Sequence, residues 1–209
     1  MNCSVNVFRR GAAVALALVA ASTASAASFN FEDPKGVNHI VFMLDAPLEF
    51  ISGTGKGITG TVAFDPAKPE AVNGEIVLAV ESLVVPNATM TEHMHGEKWL
   101  NAAENPTIVF AVDGFKVERE DDITLSGVVS GSLTLNGTQR EIEVPAKISY
   151  IADGVTQRSS GNRKGDLLVV RADFGIKLSD YGIEISPGAR MKVSNDVAVK
   201  VRLAGLSTQ

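Results

Sequence analysis

The chain reads as an all-β protein: an eight-stranded antiparallel barrel with one short helix inserted around residues 90–100. Three observations predict this. Period-two alternation of apolar and polar residues recurs about eight times between residues 38 and 203, as expected of strands that are dry on one face and wet on the other. Several of these stretches reach about thirteen residues where five or six is usual, and long strands suit a tilted barrel wall better than a sandwich, the other architecture open to one-sided strands. The clearest pair, 123–135 and 138–151, is separated only by Asn136-Gly137. That dipeptide is the favoured two-residue hairpin turn, because both positions tolerate φ > 0.

Residues 38–45 (NHIVFMLD) are apolar on both faces and form the first strand, and residues 57–64 (GITGTVAF) the second, stopped at Asp65-Pro66. Residues 74–85 place Ile76, Leu78 and Val80 on one face. Residues 90–100 (MTEHMHGEKWL) lose the alternation. Met90 and Met94 lie one helical turn apart there, Thr89 or Thr91 suits a cap, and Asn105-Pro106 ends the connection. Residues 106–117 bring Ile108, Phe110 and Val112 together. In the hairpin, the turn pairs Leu135 with Thr138 and Val129 with Val144, so that the dry faces of the two strands coincide. The polar, Gly/Ser-rich stretch 152–166 reads as a mobile hairpin tip. Residues 167–179 align Leu168, Val170, Ala172, Phe174, Ile176 and Leu178, and residues 192–203 align Val193, Val197, Val199, Val201 and Leu203.

Residues 1–26 read as a cleaved signal peptide and residues 27–209 as a single domain. Arg9-Arg10 gives a basic start, residues 11–21 an apolar run, and Ala24-Ser25-Ala26 a small-residue cleavage site. The run is about half the ~20 residues a membrane helix needs, so no span is expected after cleavage. The expected location is the periplasm. Cleavage removes Cys3, the only cysteine, and with it any disulfide or thiolate metal site. It leaves 17 Lys and Arg against 24 acidic residues, a net charge of −7, which argues against a nucleic-acid partner.

The inward faces are mainly Val, Ile, Leu, Ala and Gly, and the whole chain has only nine Phe, two Tyr and one Trp. Gly127 and Gly131 on an inner face are expected to leave space there. An eight-stranded barrel stands at the size where side chains either fill the interior or leave room for one ligand. A core closed by Phe42, Phe110, Phe174 and the methionines is the alternative. Gly55-Lys56-Gly57-Ile58-Thr59-Gly60 fits G-x-G-x-x-G, but a strand and a stop come after it, not the helix a dinucleotide site requires. His93 and His95 point about 200° apart if helical and share no ion easily. Arg171 and Asp173 read as outer-wall residues paired with charged neighbours or, alternatively, as residues that order the barrel rim near a ligand head group, and no serine–histidine–acid constellation can be assembled.

Three stretches, in this order and spacing, resemble the YceI-like family of bacterial secreted and periplasmic proteins. They are Met94-His95-Gly96-Glu97-Lys98-Trp99-Leu100 leading to Pro106-Thr107-Ile108-Val109-Phe110, then Gly131-Ser132-Leu133-Thr134-Leu135-Asn136-Gly137, then Arg171-Ala172-Asp173-Phe174-Gly175-Ile176. The resemblance implies a lipocalin-like barrel whose interior holds a polyisoprenoid or similar amphiphile, with no known catalytic reaction. Trp99-Leu100 departs from the paired Phe frequent in the family, at a position that bears on the pocket mouth. The resemblance also admits a homodimer, for which the sequence offers no apolar stripe.

The expectation is therefore a periplasmic binding protein, not an enzyme, for an isoprenoid, an isoprenoid quinone or a similar lipid. The tail would lie among Phe42, Leu78, Phe110, Val129, Leu133, Ile148, Phe174 and Val199, and the polar end near His95 and Trp99 at the opening. No catalytic residue, metal or cofactor other than such a lipid is expected. Two rivals stand beside it: a catalytic or metal-dependent barrel using His93 and His95, and a structural or interaction protein with a filled core.

Overall fold

The computed structural model describes residues 26–207, in which ten strands form one antiparallel sheet. In chain order they are β1 (Ala27–Asn30), β2 (His39–Asp45), β3 (Phe50–Gly55), β4 (Ile58–Phe64), β5 (Asn73–Ala79), β6 (Thr107–Asp121), β7 (Thr124–Leu135), β8 (Thr138–Ile151), β9 (Leu167–Lys177) and β10 (Asp196–Ser207). β1 pairs with β4 on one side and with the end of β10 on the other, so eight strands close into a barrel. The other two lengthen its wall. β10 pairs with β2 through Ala198 to Arg202 and with β1 through Leu206 and Ser207, which makes β1 and β2 successive pieces of one wall. β3 and β4 succeed one another in the same way across Lys56-Gly57. The barrel thus has the eight walls that the alternation predicts, two of them broken. The sequence reading lacks β1 and β3. β1 has only four residues, and β3 (FISGTG) carries two glycines and a single inward apolar side chain, Ile51, so neither shows a full alternation. The predicted signal peptide, apart from Ala26, lies outside the described residues. No described helix is long and apolar enough to cross a membrane.

The hairpin forms as its turn dictates. Asn136 and Gly137 sit at φ 49° and 71°, and Leu135 faces Thr138 while Val129 faces Val144. β6 departs from simple alternation. Register shifts between Val112 and Gly114 and between Val117 and Arg119 are β-bulges, and each extra residue reverses the inward–outward parity of the strand beyond it. Ile108, Phe110 and Val112 face inward as predicted; beyond the first bulge Phe115 and Val117 take over that face. Opposite them, Gly127 and Gly131 do not leave space. A Cβ on Gly127 would collide with the Lys116 carbonyl and lie 3.1 Å from the Phe115 ring, and one on Gly131 would lie 2.8 Å from the Phe110 ring. These glycines let the backbone of β6 and two aromatic rings come close.

The helix between the third and fourth walls is α1 (Ala88–His95). Its cap is Asn87, whose Oδ1 accepts from the Met90 N–H at 3.0 Å, not Thr89 or Thr91. Thr91 instead bonds both backbone groups of Val85, tying the helix to the segment before it. The stretch 152–166 is not a bare, solvated hairpin tip. It contains α2 (Gly154–Arg158), whose Val155 is buried with Leu167, Ala204 and Leu206. Arg158 Nη2 donates to Asp33 Oδ2 at 2.8 Å, and Lys35 Nζ donates to the Arg158 carbonyl at 2.7 Å. The Asp33 side chain is 1% exposed. Burial opposes its ionisation, but the Arg158 hydrogen bond, backbone N–H groups of Val37 and Lys35, and the guanidinium charge together hold the carboxyl below its ordinary value.

Candidate binding cavity

The inward faces enclose a cavity of about 390 Å³, at the small end of the ~300–1,000 Å³ typical of ligand sites. The cross-strand register builds its wall row by row. One inner row runs Phe174–Val199–Phe42 across β9, β10 and β2. The next runs Gly127–Ala146–Ala172–Val201–Ile40, small at its centre. Inward residues such as Ile40, Phe110, Phe174, Val199 and Val201 are only half-buried although they face the interior. They abut lumen, so the aromatics and methionines do not close the core.

All eight wall residues that the sequence suggests (Phe42, Leu78, Phe110, Val129, Leu133, Ile148, Phe174 and Val199) line this cavity, as does Trp99. His95 does not. Its Nε2 lies 2.8 Å from the Leu83 carbonyl oxygen, a tie between α1 and the chain leading into it. Of the lining residues His93 alone is ionisable, and it is exposed. The helical spacing explains the difference: Met90, His93 and Met94 share the face turned to the lumen, and His95 points away. Sequence reasoning also passes over Phe31, Ile51, Leu83, Val85 and Ile183, which line the cavity from short or irregular segments, and Leu44 of β2, from a stretch apolar on both faces. Only the alternation Phe29-Asn30-Phe31 signals the first of these.

The two ends of the cavity differ. At one end Phe31 and Leu168 are each 1% exposed, with fully buried Phe29 and Phe64 behind them. Phe29 meets the Tyr150 ring edge-on at 6.3 Å, and Tyr150 Oη donates to Asp166 Oδ2 at 2.9 Å. Burial, then that hydrogen bond and the charges of Asp166 and Asp153, push the Tyr150 hydroxyl up to about 12. This end is sealed. At the other end the lining residues Ile51, Met90, Met94, Trp99 and Val193 are half-buried and His93 is exposed, which marks the mouth.

Among the described residues no group of three or more His, Cys, Asp or Glu could hold a metal. Asp173 accepts two hydrogen bonds from Arg202 on the outer wall, at 2.7 and 3.2 Å, as its wet-face placement predicts. That pair lowers the Asp173 carboxyl from its ordinary value, the Arg202 hydrogen bond first. Arg171, by contrast, stands in register with two like charges, Lys147 and Arg202, and not with an acidic partner.

Comparison with known proteins agrees with this geometry. The YceI-like domain model matches residues 20–204. A UPF0312 protein of Azotobacter vinelandii is 30% identical over 177 residues, spanning 83% of this chain and 86% of that protein. Protein YceI of Salmonella arizonae is 28% identical over 158 residues, 75% of this chain and 74% of that one. BcnA of Burkholderia cenocepacia has a similar fold, with a TM-score of 0.63 at 18% identity over 80% of this chain and 95% of its own. A polyisoprenoid-binding domain from Saccharophagus degradans gives a TM-score of 0.63 at 13% identity, covering 88% of this chain and 99% of that domain.

Proposed function

The chain belongs to the YceI-like family, and from that premise we propose that its barrel is a binding protein for the tail of a polyisoprenoid, an isoprenoid quinone or a similar long amphiphile. The observation that carries this reading is the lining itself: an open-ended lumen walled by apolar side chains, with one ionisable residue, His93, at the mouth. The tail lies along the inner rows, and the polar end stays beside His93 and Trp99. Burial of apolar surface is the driving force, at about 25 cal/mol per Å² or ~0.8 kcal/mol per CH₂. Each five-carbon unit thus contributes on the order of 3–4 kcal/mol before ordering costs are subtracted. A resemblance to a polyisoprenoid-binding domain supports the ligand class. The signal-like residues 1–26 support a periplasmic setting. The rival that uses His93 and His95 together loses one member, because His95 is committed to the Leu83 carbonyl.

The test is organic extraction of the purified protein followed by mass spectrometry, with uptake of a fluorescent prenyl lipid measured in parallel. Recovery of a stoichiometric amphiphile, or saturable uptake with weak salt dependence, is expected. A protein that yields no lipid and takes up no prenyl probe would overturn the reading.

A further inference from the structure

The rim around the mouth carries large apolar side chains that the core does not use. Leu48 is 67% exposed, Phe50 63% and Met191 51%. Leu48 lies in the turn between β2 and β3, Phe50 opens β3, and Met191 lies in the connection from β9 to β10. The Leu48 N–H donates to the Met191 carbonyl at 2.9 Å, so the two segments lie side by side. The next residues inward, Ile51 and Val193, line the lumen. The exposed trio is therefore continuous with the cavity wall: Phe50 stands outside the rim and Ile51 inside it, as strand alternation requires. Exposed Arg190 and Lys192 flank Met191, and Lys192 Nζ lies 3.8 Å from Glu49 Oε1. Long cationic side chains beside an apolar one can keep their charge among anionic head groups while the apolar group goes deeper.

We propose that this rim is a docking surface for a lipid bilayer, through which the amphiphile passes between membrane and cavity without crossing water. The inference rests on the lipid-holding reading above and adds where the transfer takes place. A bilayer fits this rim better than a second copy of the chain because the apolar residues stand on one side of the opening that a tail must use and carry basic neighbours suited to head groups.

The experiment uses phosphatidylcholine vesicles containing a minority of phosphatidylglycerol and a fluorescent prenyl lipid. Wild type is compared with a Leu48→Ser, Phe50→Ser double variant. Both positions are exposed, so the variant should melt as wild type does. The expected result is flotation of wild type with the vesicles, and at least a tenfold loss of flotation and of transfer rate in the variant. Uptake of the same probe added from ethanol, without vesicles, should be equal in the two proteins. Equal flotation and transfer by both proteins would overturn the docking surface. So would a wild-type dimer that is absent in the variant and does not float. If neither protein takes up the probe while only wild type floats, the lipid-holding reading falls and the membrane-docking surface stands.

Discussion

Ala172→Phe separates an open lumen from a filled core by the sign of its effect. Ala172 lies on the inner wall in register with Ala146 on β8 and Val201 on β10, and it lines the cavity. The substitution directs roughly six added carbons into the lumen, which at ~0.8 kcal/mol per buried carbon displaces up to about 5 kcal/mol of gross tail burial. The tail recovers part of this by shifting, so the expected outcome is a prenyl-probe affinity at least about tenfold weaker, or ~1.4 kcal/mol. Stability moves the other way. Filling existing space commonly gains about 0.5–2 kcal/mol, whereas forcing a ring into a packed core costs about 1–3 kcal/mol. Urea unfolding monitored by circular dichroism reads the stability, and probe titration reads the affinity. A variant that loses stability by about 1 kcal/mol or more while binding as wild type would refute an open lumen at this row.

Three further outcomes rest on the packing. Gly127→Ala places a Cβ against the Lys116 carbonyl and the Phe115 ring, and should lower stability by about 2–3 kcal/mol in urea; an unchanged midpoint would mean that β6 yields freely there. Arg158→Met leaves the buried Asp33 carboxylate without its partner and should cost about 3 kcal/mol near neutral pH. Because the folded-state value of Asp33 is lowered, the wild-type advantage is present above the unfolded value of about 3.9 and is lost as pH falls through the folded one. Urea midpoints of the two proteins should therefore converge in acid, and a constant gap would contradict the pairing. Arg171 stands in register between Lys147 and Arg202 on the outer wall, so Arg171→Glu should raise stability by about 0.5 kcal/mol. High salt should shrink that gain, and a loss of stability would show that Arg171 makes a contact worth more than the repulsion.

The parts of this fold that were legible in the sequence are those where one local rule acts alone. Asn136-Gly137 sets the hairpin register because both residues take the positive φ that its turn demands, and the single-face runs of β9 and β10 point to the lumen as their alternation requires. The illegible parts depend on partners distant in sequence. The bulges of β6 are visible only against the register of β7, so Phe115 could not be placed from alternation. Gly127 and Gly131 carry no sign of which backbone approaches them. The stretch 152–166 looks like a solvated tip until Asp33, 125 residues before Arg158, is seen to bind it. At the site, the wall residues are set by strand parity. His93 and His95 needed the actual phase of α1, set by the Asn87 cap, to show which one meets the lumen.

The central claim is that a long apolar tail occupies the barrel interior, and Trp99 offers a direct test. It is the only tryptophan in the chain and it lines the cavity near the mouth. An isoprenoid quinone bound there brings a quenching ring close to the indole. Titration of the purified protein with such a quinone should quench Trp99 fluorescence saturably with one site per chain, and Ala172→Phe should shift the curve to weaker binding. Quenching that rises linearly without saturation, as for collision in bulk water, and is the same in Ala172→Phe would contradict the account.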